Sequence, residues 1–209
     1  MTNRFLIFTL LALSSLSAYA GGYRVALHGG RALAMGHAGV GVIDNAEGAF
    51  FNPSGLVYLK NRFEVSVGAT PVISQIKYQN VDTGQYEKTN NPVTTPFYVY
   101  TNYQVTDWFS AGLSVYTPYG STVKYDKDWV GSHLVNKIEL SALYFQPHLA
   151  FKLSEHFSFA GGPLVAIGSV EFNRNLNRTL TDIDGNRSNV TVKESSITRL
   201  GWHASATFT

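Results

Sequence analysis

From Arg62 onward, apolar and polar residues alternate with a period of two, the mark of strands with unlike faces. Six such runs are readable. In the first, Phe63, Val65, Val67 and Ala69 oppose Glu64, Ser66, Gly68 and Thr70, and the run continues to about Tyr78 with a flaw at Pro71. The second, Thr95 to Val105, sets Phe97, Val99, Tyr103 and Val105 against Tyr98, Tyr100, Asn102 and Gln104. In the third, Phe109, Ala111, Leu113 and Val115 alternate with Ser110, Gly112, Ser114 and Tyr116, extending toward Tyr125. A fourth opposes Leu143, Phe145, Leu149 and Phe151 to Tyr144, Gln146, His148 and Lys152. Phe157 to Phe172 is a fifth, and Arg199 to Phe208 a sixth.

The connections between the runs are themselves a pattern. Gln79 to Thr94 is long, Thr106-Asp107 short, Asp126 to Asn136 long, Ser154 to His156 short and Asn173 to Asn189 long. Tight turns at one end and extended loops at the other predict an all-β transmembrane antiparallel barrel. A soluble sandwich has no reason to treat its two ends differently. The longer runs also reach the ~9–11 residues that cross a bilayer at a tilt. Aromatic residues near run ends (Tyr78, Trp108, Tyr125, Trp129, Phe172) suit interfacial girdles.

The first 61 residues have a different texture. Arg4, the apolar stretch Phe5 to Leu13 and Ala18-Tyr19-Ala20 before Gly21 predict a signal peptide over residues 1–20. Residues 21–61 are Gly- and Ala-rich without alternation, with short helical turns expected near Arg31 to Met35 and Ala46 to Phe50. Such a segment needs something around it. The remainder, 62–209, reads as a partial barrel.

Composition narrows the picture further. Only 14% of residues are charged, against about 25% in soluble domains. The net charge of +2 gives no field for nucleic acid, and zero Cys excludes disulfides and thiolate metal sites. Six strands leave a difficulty, because membrane barrels of this type close at about eight or more. An open edge in lipid costs several kcal/mol per unpaired group, roughly. The expectation is that the sequence is part of a longer barrel.

Three stretches carry a resemblance: Gly22-Tyr23-Arg24-Val25, then Ala34-Met35-Gly36-His37-Ala38-Gly39-Val40-Gly41, then Asn45-Ala46-Glu47-Gly48-Ala49-Phe50-Phe51-Asn52-Pro53-Ser54-Gly55. With Tyr116-Thr117-Pro118-Tyr119-Gly120, Trp129-Val130-Gly131, Glu139-Leu140 and Gln146-Pro147, the ordered set resembles FadL/TodX-type outer-membrane transporters of long-chain fatty acids and aromatic hydrocarbons. Many members have Asn-Pro-Ala where this chain has Asn52-Pro53-Ser54. The resemblance implies a fourteen-stranded barrel of which residues 21–61 are the hatch and the rest the first six strands. It also implies passive transport of hydrophobic molecules across the bacterial outer membrane, with lateral release at a kinked third strand. Outer-membrane lipid and the barrel assembly machinery are the implied partners, and no cofactor is implied.

Site residues follow from the same resemblance. Tyr23, Val25, Phe50, Phe51, Tyr116 and Tyr119 are the expected ligand contacts. Asn52, Pro53, Ser54 and Gly55 form the expected hatch turn, and Pro118 and Gly120 the expected kink, because Pro lacks a ladder donor and Gly permits unusual dihedrals. A base for an outer loop is the alternative reading of Pro118 to Gly120, and plain hatch packing that of Val25, Phe50 and Phe51. Fatty-acid members place an arginine near the fifth strand's end, where this chain has Ser169, with Arg174 expected in the following loop.

Rival chemistry finds little support. The six His show no i, i+4 pair, so no metal site is expected. Asp182-Ile183-Asp184-Gly185-Asn186 echoes a calcium loop but lacks the distal Glu, and reads as a turn. An outer-membrane lipase using His148 or His203 with Ser205 has no motif behind it. A structural or adhesive barrel with binding outer loops is the other class that the pattern admits.

Overall fold

The computed structural model describes residues 27–176, 183 and 188–209. The expected signal peptide, Tyr23, Val25 and the Asp182 to Asn186 stretch, apart from Ile183, lie outside the described residues. Two short helices, α1 (Gly30–Ala34) and α2 (Gly48–Phe51), precede a 3-10 helix (Pro53–Tyr58). Then come β1 (Phe63–Ala69), β2 (Lys77–Gln79), β3 (Tyr86–Lys88), β4 (Phe97–Thr106), β5 (Phe109–Lys124), β6 (Lys137–Lys152), β7 (Phe157–Asn175) and β8 (Asn189–Phe208). Six of these strands form one antiparallel sheet in the order β1-β4-β5-β6-β7-β8, and β2 pairs with β3 in a hairpin above it.

Each sheet strand pairs with its sequence neighbour, as a meander joined by alternating short and long connections must. The differences from the sequence reading are at the outer ends. β1 ends at Ala69 rather than near Tyr78, which belongs to β2; β6 and β8 start at Lys137 and Asn189, where the expected loops end, although their apolar alternation reads only from Leu143 and Arg199; and Arg174 lies in β7 rather than in a loop. Backbone pairing continues there although the outward positions of β6, Lys137, Glu139 and Ser141, are no longer apolar. The ladder Lys137↔Asn173 to Phe145↔Val165 runs unbroken past the apolar stretch.

The two faces are sharply unlike. Phe63, Val65, Val67, Leu113 and Leu149 point outward and are exposed, although apolar. On the same face Phe109, Phe151 and Phe159 stack across three strands with centroids 5.0 and 5.1 Å apart, and Trp108 leans on Phe151. An outward apolar face with an aromatic row near the short-turn end is what a lipid-facing wall requires. Three of the other expected girdle residues do something else. Tyr125 stacks on Trp129 at 3.9 Å and Tyr78 meets Trp129 edge-on, so these three form a small loop core instead. Burial there, followed by the nearby Glu87 carboxylate, raises the Tyr125 hydroxyl's pKa.

The inner face is covered by the N-terminal helical segment. Buried polar groups need partners, and short helices leave carbonyls unpaired at their ends. Each supplies the other. Gln146 donates to Ala49 O at 3.2 Å, Ser158 to Ser54 O at 2.7 Å, Asn102 to Leu56 O at 3.4 Å and Gln104 to Val57 O at 3.0 Å. Further along, Asn52 Nδ2 donates to Thr207 Oγ1 at 2.9 Å, and Ser54 N to Ser205 Oγ at 3.0 Å.

Candidate ligand cavity

Apolar packing completes the seat of the helical segment. Phe50 sits against His28, Tyr100 and Tyr116, with ring centroids 4.7, 6.1 and 5.1 Å away. Phe51 turns the other way, toward Phe50, His37 and Gly39. Asn52, Pro53, Ser54 and Gly55 are all buried at the start of the 3-10 helix. A Cβ on Gly55 would overlap the Ile43 side chain, so the turn packs too closely for any larger residue. Ser54 links its neighbour and the wall at once, donating to Asn52 Oδ1 at 2.6 Å and sharing a 2.7 Å contact with Thr207 Oγ1.

The inner face changes character toward the long-loop end. In β6 the inward positions near the segment are Gln146, His148 and Ala150; further out they are Ile138, Leu140, Ala142 and Tyr144. Here lies a cavity of about 790 Å³ whose lining includes Tyr119, Leu140, Tyr144, Val170, Ile197 and Arg199. Among the described residues, Arg199 is the sole charged one of that lining. It stands opposite Ala166 on β8.

A bulge in β5 shapes the cavity. Tyr116 pairs with Tyr144 and Tyr119 with Ala142, so Thr117 and Pro118 together face only Leu143. That extra residue inverts the parity of the strand. Without it Tyr119 would point to lipid; with it, Tyr116 and Tyr119 both face inward and flank Tyr144 at 5.6 and 6.2 Å. Gly120, two residues beyond Pro118, pairs regularly with Ser141 and has open space where a Cβ would be.

The same bulge parts β5 from β4. Their pairing ends at Tyr98↔Tyr116, and the β1–β4 ribbon continues alone through Thr70 N to Pro96 O (2.9 Å) and Val72 N to Thr94 O (2.7 Å). A second cavity of about 230 Å³ occupies the interval, lined by Thr94, Thr95 and Pro96 on one side and by Thr117 and Tyr119 to Thr122 on the other. The two cavities share Tyr119, Gly120, Ser121, Leu140, Ser141 and Ala142.

Of the expected ligand contacts within the described residues, Tyr119 lines the large cavity, whereas Phe50 and Tyr116 lie together in the packed aromatic cluster and Phe51 packs within the segment. The sequence reading did not single out Ile138, Val170, Ile197 or Arg199. An earlier start for β6 was the signal available, since Ile138, Leu140, Ala142 and Tyr144 alternate. Ser169 pairs its hydroxyl with Ser141 at 2.7 Å on the wall, and Arg174 reaches His133 O at 3.5 Å. The residues considered for hydrolysis make separate contacts with the helical segment and the wall. Ser205 accepts from the Ser54 amide, His203 Nε2 donates to Pro147 O at 2.9 Å, and His148 lies 3.4 Å from Asn102 Oδ1.

An antiparallel wall with an apolar exterior, a helical segment bonded to its interior and an apolar cavity beyond that segment define part of an outer-membrane β-barrel. The chain belongs to the outer membrane protein transport protein family (OMPP1/FadL/TodX), whose model matches residues 11–206. It is similar to a putative outer membrane protein of Neisseria meningitidis serogroup B, at 30% identity over 138 residues, which is 60% of this chain and 28% of that protein. Its fold is similar to that of a Pseudomonas aeruginosa FadL homologue, with a TM-score of 0.63 at 18% identity, covering 90% of this chain and 50% of the other. The chain thus spans half the solved relative and less of the curated one. Its place is the bacterial outer membrane.

Proposed function

We propose that this chain forms the hatch-bearing part of a passive outer-membrane transporter for hydrophobic compounds. Residues 21–61 are the hatch that denies a straight path to the periplasm. A hydrophobic molecule captured by the outer loops enters the apolar cavity above the hatch. It leaves sideways between β4 and β5, where the Thr117-Pro118 bulge opens the wall beside Gly120. Lateral exit keeps an apolar solute out of periplasmic water, which it would enter at a cost proportional to its exposed area. The observation carrying this reading is the shared boundary of the two cavities at Tyr119, Gly120 and Ser121.

The ligand class follows from the lining. Apolar side chains suit hydrocarbons and fatty-acid chains alike, and Arg199 offers a partner to a carboxylate head. The test uses the complete protein in intact cells, with Thr95→Cys and Gly120→Cys joined by a short thiol cross-linker. Cross-linking is expected to stop uptake of toluene and of palmitate, and reversal to restore it; undiminished uptake in fully cross-linked protein overturns lateral release. Arg199→Gln is expected to slow palmitate and spare toluene. Equal effects on both would remove the arginine from the binding role.

A further inference from the structure

The opening between β4 and β5 is bounded at its lower end by a side chain and at its upper end by one backbone bond and one side chain, outside the regular ladder. At the lower end, Thr117 Oγ1 accepts from Phe97 N at 2.9 Å and donates to Phe97 O at 3.3 Å. One hydroxyl thus satisfies both groups that a regular strand neighbour would have satisfied through its backbone. At the upper end, Asn90 N donates to Lys124 O at 2.7 Å and Asn91 Oδ1 accepts from Lys124 N at 2.8 Å. The same Asn91 carboxamide donates to Ser74 O at 3.2 Å and to Ser74 Oγ at 3.0 Å. Asn91 therefore ties both strands of the β1–β4 ribbon to the end of β5. Between the two ties, Thr95 and Pro96 face the Gly120 side of β5 across the small cavity.

We propose that Asn91 and Thr117 are the upper and lower clasps of the lateral opening, positioning residues that set its width and hence the cross-section of the solute that passes. This rests on the lateral-release reading above. A frame closed by three side-chain hydrogen bonds and one backbone bond yields at less cost than a strand ladder, in which each further residue adds its own bond. The ribbon is stiffened by the pairing of β2 with β3, and Tyr78 of β2 meets Trp129 in the loop after β5, a further contact at the Asn91 end of the frame. Thr117 supplies the hinge side, next to the bulge, and Asn91 the free side.

The experiment compares uptake of toluene, naphthalene and pyrene, which differ in width, by intact cells carrying the complete protein. Asn91→Ala and Thr117→Val are expected to raise pyrene uptake severalfold relative to toluene, while Thr117→Ser, which keeps the hydroxyl, retains the parent ratio. Heat-resistant electrophoretic mobility of the barrel and surface protease resistance confirm that each variant is assembled; if Thr117→Val is not, Asn91→Ala carries the test alone. An unchanged ratio in an assembled Asn91→Ala variant overturns the clasp. Failure of the cross-linked protein to block uptake overturns lateral release itself, so the two failures are distinguishable.

Discussion

The seam between β5 and β6 and the seam between β4 and β5 share a strand, yet they are built differently. The first runs from Phe109↔Phe151 to Lys124↔Lys137 with fourteen registered pairs and a single bulge. The second has six, interrupted twice. At one interruption Thr101 Oγ1 accepts from Leu113 N at 3.1 Å and donates to Leu113 O at 3.0 Å; just past the end of the pairing Thr117 does the same for Phe97. A Cβ on Gly112 would overlap the Thr101 carbonyl, so the backbones press together just where the regular bonding lapses. A wall in lipid cannot leave backbone groups unpaired. Threonine hydroxyls let this seam deviate from the ladder without breaking that rule. The difference teaches that this seam is the weaker line in the wall, because threonine hydroxyls stand in for part of its ladder.

That contrast can be broken or sharpened by substitution. The largest effect is expected in the continuous part of the wall: Phe145→Arg, outward between Val115 and Val165, should cost about 2–4 kcal/mol in refolding titrations into vesicles. A cost near zero would mean that this face is not the lipid face. Next comes Thr101→Val, which leaves Leu113 N–H and C=O without their hydroxyl partner and should cost about 1–2 kcal/mol in the same titration. If it is as innocuous as a change on a loop surface, the hydroxyl is no substitute for the ladder. The smallest stability change, within about 0.5 kcal/mol, is expected for Gly120→Val, whose Cβ meets open space. Its added bulk lies in the opening, so toluene uptake should nonetheless fall; unaltered uptake would place the path elsewhere.

Much of the wall was legible in sequence because lipid imposes its pattern residue by residue. Phe63, Val65 and Val67 alternate since one face meets hydrocarbon, and the alternation of loop lengths marks the two ends. Where strands rise past the bilayer that pressure ends. Thr191, Lys193 and Glu194 in β8 carry no apolar rhythm, yet each holds its register with β7. The site was harder to read. Pro118 pointed to an irregularity in β5, but the parity change it produces, and with it the inward turn of Tyr119, depends on what β6 offers opposite. Arg199 looked like one polar position among several in the sixth run. Only the register with Ala166 puts it at the cavity.

The bonds that seat the helical segment also bear on the order in which the protein assembles. Asn52 meets Thr207 across a sequence separation of 155 residues, and Ser54 meets Ser205 across 151. Contacts that distant are the slowest for a chain to find, because the whole intervening length must first be constrained. By contrast, the partners of Leu56 and Val57 lie on β4, at separations of 46 and 47. The 3-10 helix can therefore dock at one end while its other end, at Asn52 and Ser54, is still waiting for the sixth strand. Assembly of this region finishes where it began in the chain, with the early turn receiving its last partners from β8.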